Sequence, residues 1–164
     1  MLRSAVISDC GCYRYRLERD LRRPGRVAAV IMVNPSRADG ELDDPTIRKW
    51  IGFSPRLGIG RLIVVNACAL RAADVRELGA APDPIGPDND RHIEQALRDA
   101  DLHIAAWGCL AKLPPRLRGR WREVSAIADR LGCRLMCLGL ARDGQPLHPL
   151  RLSYSRELTA FSGR

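Results

Sequence analysis

The apolar runs of this sequence constrain its fold more than any other feature. Residues 27–33 are continuously apolar, have the length of a strand and end at the turn signal Asn34-Pro35-Ser36, which is typical of a strand buried on both faces. Shorter and mostly apolar segments of strand length lie at residues 62–65, 102–106 and 134–138. Helical patterns separate these runs. The sequence therefore predicts a three-layer α/β/α fold with a central, mainly parallel four-stranded sheet.

Three helices are predicted between the strands. The first has Asp44 as its N-cap and Pro45 at its first helical position, a combination that favours the start of a helix. The others span about residues 88–100 and 116–131, judged from their capping residues and apolar periodicity. At the N-terminal side, residues 4–18 predict an additional β-hairpin, in which alternating arginines form one basic face.

Length and composition favour a single soluble domain. A chain of 164 residues is long enough to bury its own core, so residues 1–164 are interpreted as one domain. No apolar run is long enough to cross a bilayer, and the first residues lack the apolar stretch of a signal peptide. We therefore expect a cytoplasmic monomer that does not bind a membrane.

The six cysteines point neither to disulfides nor to a metal site. Cys68, Cys109 and Cys137 lie in or beside apolar runs, which predicts buried thiols. The cysteine spacings lack the two-residue gap that is common in zinc sites. We expect neither a metal nor a cofactor.

The formal net charge of +8 favours a polyanionic partner such as DNA or RNA. Nearly all the basic residues are arginines, since Lys49 and Lys112 are the only lysines. This bias is consistent both with a GC-rich genome and with bidentate contacts to phosphates. Charge alone therefore gives only a preference for nucleic acid.

Each strand of the predicted sheet ends at a polar residue or a glycine. These residues are Asn34, Asn66, Gly108 and, in the last segment, His148. Because ligands of parallel α/β sheets bind outside the carboxyl ends of the strands, we expect these groups to lie close together. Taken singly, each also has a structural explanation, since Asn-Pro is a common turn and a buried Asn often satisfies a loop.

Four segments, in this order along the chain, resemble the motifs of the uracil-DNA glycosylase superfamily. They are Val33-Asn34-Pro35-Ser36, residues 64–71 around Asn66, Ala105-Ala106-Trp107-Gly108 and His148-Pro149-Leu150. The chain also resembles a narrower family of uncharacterised bacterial and phage proteins, DUF1643, in its Tyr-Arg-Tyr, Asn-Pro-Ser, Asp-Asp-Pro-Thr and His-Pro-Leu segments. The first resemblance implies a uracil-DNA glycosylase-like fold and DNA glycosylase activity.

Two positions depart from the glycosylase motifs. Met32 stands where the first motif has glycine, and no aromatic residue follows Pro35. Phe53 or Trp107 is therefore the candidate ring for stacking on the base, with Pro35 and Ser36 beside it.

The resemblance implies that a nucleotide rotates out of the DNA stack and that water hydrolyses its glycosidic bond. Asn34 would orient the water, His148 would donate to the departing base, and Asn66 would recognise the base edge. Among the carboxylates that follow Asn34, we favour Asp43 over Asp39 as the group that activates water. Asp44 is interpreted as a helix cap only.

Basic side chains beside the motifs are candidates for contacts with DNA phosphates. These DNA-binding candidates are Arg37, Arg71, Arg151 and Arg156, with Leu150 or Leu152 as a wedge between bases.

Two other functions stay open. A non-catalytic DNA- or nucleotide-binding module of the same fold needs no activated water, and an asparagine instead of an acid at position 34 favours it. An enzyme acting on free nucleosides or nucleotides would also use such a sheet, although no glycine-rich phosphate loop of the Walker or dinucleotide type is present.

Overall fold

A computed structural model describes residues 1–36 and 38–163 of the chain. These residues form seven strands and three α-helices. The strands are β1 (Leu2–Ile7), β2 (Arg14–Asp20), β3 (Arg26–Met32), β4 (Ile59–Asn66), β5 (Leu102–Ala105), β6 (Leu135–Cys137) and β7 (Thr159–Ala160). The helices are α1 (Pro45–Phe53), α2 (Asn89–Arg98) and α3 (Arg120–Arg130).

All seven strands belong to one mixed sheet in the order β1-β2-β4-β3-β5-β6-β7. The four central strands, β4, β3, β5 and β6, are parallel. The fold is therefore α/β as expected, but the prediction of a four-stranded sheet is wrong. The hairpin extends the sheet because β2 pairs antiparallel with β4, and β7 adds an antiparallel strand beside β6.

The two faces of the sheet are covered by different helices. Along β3, Ala29 and Ile31 point to the side where α2 and α3 pack, whereas Ala28 and Val30 point to the side of α1. This alternation follows from the period of two in a strand. Because both faces are buried, β3 is apolar throughout its length after Arg26, as the sequence indicated.

The first helix begins as predicted. Asp44 caps it by accepting the N–H of Ile47 on Oδ1 (2.9 Å), and Pro45 is its first residue. The third helix is shorter than expected, because a separate 3-10 turn at Pro115–Leu117 precedes it. Within the described residues, no helix has the length and apolarity needed to cross a membrane.

The arginines of β2 do not form an exposed basic face, which corrects the prediction. Arg14, Arg16 and Arg19 are 2%, 9% and 0% exposed. They are buried because β2 is an inner strand, flanked by β1 and β4. Among the predicted buried thiols, Cys68 and Cys137 are buried, while Cys109 is only partly so.

Candidate functional site

The carboxyl ends of β3 and β4 bring two asparagines together. In this parallel pair, Met32 of β3 lies opposite Asn66 of β4. The two segments remain hydrogen-bonded where the strands end, since Ala67 N–H donates to the carbonyl of Met32 (2.9 Å). Asn34, two residues after β3, is thereby held beside Asn66.

A cavity of about 230 Å³ opens at this end of the sheet. Its polar lining comes from β2, the loop after β3, the start of α1, the end of β4 and the late His-Pro segment. The polar side chains are Arg14, Asn34, Ser36, Asp44, Thr46, Asn66 and His148. Asn34, Asn66 and His148, which the sequence predicted at one site, thus line one cavity.

The amide nitrogen of Asn34 is fully used. Nδ2 donates to the carbonyl oxygens of Pro35 (3.0 Å) and Ala72 (2.9 Å). The Oδ1 atom keeps its lone pairs and accepts from none of the described groups. Asn34 therefore contributes an acceptor to the cavity.

Asn66 has the opposite polarity. The residue is 1% exposed, and its Oδ1 accepts from Nη2 of Arg14 at 3.3 Å. This contact fixes the amide, because oxygen and nitrogen lie on opposite branches of the group. The Nδ2 atom donates to no described group, so Asn66 contributes a donor to the cavity.

Arg14 lines the cavity, although the sequence did not predict it as a site residue. Its Nη1 donates to the carbonyl of Ala38 (2.7 Å), and its buried Nε has no hydrogen-bond partner among the described residues. Burial lowers the pKa of Arg14 from 12.5 to about 10. The guanidinium therefore keeps its positive charge at neutral pH, next to Asn66.

His148 is partly buried and precedes the short 3-10 turn Pro149–Arg151. Its Nδ1 accepts the N–H of Leu150 at 3.3 Å, which places the ring proton of the neutral form on Nε2. Burial lowers the pKa of His148 from 6.5; the charge of Lys112 lowers it further, and that of Asp44 opposes the shift. The ring is thus neutral near pH 7 and offers Nε2–H as a donor.

One carboxylate lines the cavity, and it is Asp44. The residue keeps the helix-capping role predicted for it, since Oδ1 accepts from Ile47. A carboxylate has two oxygens, so Oδ2 is available to a ligand or a water.

The two carboxylates favoured by the sequence lie elsewhere. Asp43 forms ion pairs with Arg19 Nε (2.6 Å) and with Arg3 (2.8 Å). Asp39 accepts two backbone N–H groups within its own loop, at 2.9 Å each. Neither Asp43 nor Asp39 is among the residues that line the cavity.

A second cavity of about 470 Å³ adjoins the first, and Val33, Asn34 and His148 line both. Gly108 also lines it, at a φ of +84°, and a Cβ there would lie 3.4 Å from Cβ of His148. Its other lining residues combine apolar and basic groups, and they include Trp107, Lys112, Leu147, Leu150, Arg151 and Leu152.

The predicted aromatic partners do not line the first cavity. Phe53 is fully buried and packs against Trp50 and Tyr154 in the core beside α1. Trp107 donates Nε1 to Gln145 (2.9 Å), meets Phe161 edge to face, and lines the second cavity but not the first.

The remaining candidates are dispersed. Pro35 is buried, and Ser36 lines the first cavity. Arg71 donates to the carbonyl of Gly11 at 3.3 Å, beside the hairpin turn. Arg156 is exposed and lines neither cavity. The predicted DNA contact at Arg37 lies outside the described residues.

The model of a protein family, described as "Protein of unknown function (DUF1643)", matches residues 14–150. The chain belongs to the DUF1643 family. The matched segment begins at Arg14 and ends two residues after His148, so it includes every polar residue of the first cavity. No curated protein and no solved structure gives a significant match to this DUF1643 chain. The likeness to the uracil-DNA glycosylase superfamily therefore remains a hypothesis.

Three residues that line the two cavities were not predicted as functional from the sequence. Arg14 belongs to the Tyr-Arg-Tyr segment that the chain shares with the DUF1643 family, and that segment was its only signal. Asp44 was interpreted as a helix cap only, although its side chain also lines the first cavity. Lys112 lies on a 3-10 turn with no motif around it, and no sequence signal identifies it.

Proposed function

We propose that this chain is a DNA glycosylase that hydrolyses the N-glycosidic bond of a damaged or modified base rotated out of DNA. One observation carries the proposal: Asn34 Oδ1, Asn66 Nδ2 and His148 Nε2 lie at one cavity without partners among the described groups. One acceptor and two donors suit the edge of a nucleobase, where ring nitrogens and oxo or amino groups alternate.

In the proposed reaction the bond between the sugar carbon and the base nitrogen breaks, and its electron pair leaves with the base. The Nε2–H of His148 donates to an oxo group of the departing anion. A neutral ring can take this role because its single N–H group donates a hydrogen bond to the anion without transferring the proton. Removal of one such preorganised donor typically costs about 3 kcal/mol of transition-state stabilisation.

A water oxygen forms the new bond to the sugar carbon. Asn34 Oδ1 accepts one hydrogen of this water and so orients it, but an amide is not a base. In this proposal the proton goes to Asp44, which replaces Asp43 as the catalytic carboxylate. The reason is position: Asp44 lines the cavity, whereas Asp43 is held by Arg19 and Arg3.

We also propose that the domain has a uracil-DNA glycosylase-like fold. A parallel core covered by helices on both faces, with its ligand site at the carboxyl ends of β3 and β4, is what a uracil-DNA glycosylase-like domain would have. DNA is preferred over a free nucleoside because the net charge is +8, and because Lys112 and Arg151 line the cavity next to His148.

The decisive experiment incubates the protein with duplex and single-stranded DNAs that each carry one altered base, followed by alkaline cleavage of abasic sites. We expect one substrate class to be cleaved. Asp44→Asn is the informative variant, because asparagine caps a helix as well as aspartate does and only the charge is lost. We expect slow single-turnover excision by this variant at unchanged stability, whereas Asp44→Ala should be both slow and less stable by about 1 kcal/mol.

One observation favours a second function, a base-binding module without chemistry. The amide of Asn34 is tied to Pro35 and Ala72 as a purely structural asparagine would be. If every DNA in the panel is bound but none acquires an abasic site, the glycosylase proposal is wrong and the binding module replaces it.

A further inference from the structure

Four arginines are buried among the described residues, and one of them differs from the others. Arg16 pairs with Glu18 and Asp99, and Arg19 pairs with Asp43. Arg120 likewise pairs with Asp90 and Glu123. Three of these buried guanidinium groups thus have a carboxylate partner, as the cost of an uncompensated buried charge requires.

Arg14 is the exception. Its described hydrogen-bond partners are a backbone carbonyl and an amide oxygen, and its Nε is buried with no partner. Among acidic groups, Asp44 has the largest effect on the pKa of Arg14, and it also lines the cavity. A buried cation that lines a cavity without a carboxylate partner produces a positive potential inside it, where the low dielectric strengthens its effect on a bound ligand.

Arg14 also determines which hydrogen-bonding groups face the ligand. Its bond to Asn66 Oδ1 leaves Nδ2, on the other branch of that amide, as a donor without a partner among the described groups. Together with Nε2–H of His148, this gives two donors beside a positive charge. A nucleobase matches this arrangement best when it bears oxo groups and has lost a ring N–H proton, because the anion then presents adjacent acceptors.

We propose that Arg14 makes this cavity selective for oxo-bases that bind as anions, so that the acidity of the ring N–H determines affinity. The inference deepens the proposed function, on which it rests for the identification of the ligand as a base. In this view Arg14 is a positioning residue for Asn66 and supplies the charge that stabilises the base anion.

The test is isothermal titration calorimetry of the whole protein with uracil, 5-fluorouracil and 6-azauracil at one mildly alkaline pH. These bases have nearly the same size and increasingly acidic N–H groups. We expect affinity to rise in that order, by roughly tenfold across the series, since hydrogen bonds to charged groups are stronger than neutral ones. Arg14→Met should abolish the rise, and Arg14→Lys should restore much of it by returning the charge.

The matched control is Arg16→Met, which removes a buried arginine of the same strand that does not line the cavity. In this variant the affinity should still rise with the acidity of the base, even if the substitution lowers the stability of the protein. Equal affinities across the series in the unmodified protein, absence of binding by all three bases, or the same rise in Arg14→Met would each overturn the inference. If Arg14→Met does not fold, the unmodified protein and Arg14→Lys still decide the matter.

Excision is measured separately, so the two proposals fail separately. If affinity rises with the acidity of the base but no DNA is cleaved, the glycosylase proposal is wrong and the inference about Arg14 stands. If DNA is cleaved but the three bases bind with equal affinity, the inference about Arg14 is wrong and the glycosylase proposal stands.

Discussion

The ion pair between Arg19 and Asp43 leads to the sharpest stability prediction. The side chain of Arg19 is completely buried and that of Asp43 is 9% exposed. Removing one member of such a pair by Asp43→Asn leaves a buried charge uncompensated, which costs about 3–5 kcal/mol. Arg19 keeps bonds to the carbonyls of Glu18, Asp39 and Leu42. We therefore expect the lower end, about 3 kcal/mol, and a fall in Tm of about 6–12 °C for a chain of this length.

Urea titration gives the free energy of unfolding, and single-turnover excision by the folded variant gives the activity. The double variant Arg19→Met with Asp43→Asn should cost less than the sum of the two single changes, by about 0.5–3 kcal/mol, because the two residues interact directly. An Asp43→Asn protein of unchanged stability that has lost excision would refute this reasoning and would return Asp43 to the catalytic role predicted from the sequence.

Three further predictions concern the cavity and its surroundings. Asn34→Asp should lose both hydrogen bonds to the carbonyls of Pro35 and Ala72. We therefore expect the free energy of unfolding, measured by urea titration, to fall by about 2 kcal/mol, and excision to be no faster. A faster enzyme would contradict the proposed water-orienting role. Burial lowers the pKa of His148 below 6.5, so the unfolded chain takes up the proton first as pH falls, and the free energy of unfolding should decline below about pH 6.5. The urea midpoint of His148→Asn should decline less steeply with falling pH. The same slope in both proteins would argue against this role of His148. Arg151→Ala should reduce the slope of log K for DNA binding against log salt concentration by about one, as measured by fluorescence titration. Arg156→Ala is the comparison, because Arg156 lies outside both cavities. Equal slopes for Arg151→Ala and the unmodified protein would exclude a phosphate contact.

The parallel core was predictable from the sequence because its strands are mostly apolar segments of strand length. Residues 27–33 and 62–65 correspond to β3 and β4 within a few residues. By contrast, β7 consists of Thr159 and Ala160 only, and it forms through pairing with β6. A strand of two residues has no periodicity of its own, so only the tertiary structure specifies it.

The site was predictable where the strand ends determine it. Asn66 ends β4 and Asn34 lies two residues after the paired parallel strand β3, so their proximity is a consequence of topology. Arg14 was not predictable from its pattern, because an arginine in an alternating strand indicates an exposed face unless the strand is known to be internal. The choice between Asp43 and Asp44 depends on the tertiary structure, which directs Asp44 to the cavity and Asp43 to Arg19 and Arg3.

The cavity joins β2, near the start of the chain, to the His-Pro segment near its end, and this has a thermodynamic consequence. Any opening that releases Arg14 or His148 destroys the site, so a ligand binds the fully folded chain only. Binding free energy then adds directly to the global stability, by about 2.7 kcal/mol at a ligand concentration one hundred times Kd. For a domain of this length that corresponds to a rise in the melting midpoint of about 5–11 °C. A melting screen with bases, nucleosides and short oligonucleotides can therefore identify the ligand without any assumption about the reaction.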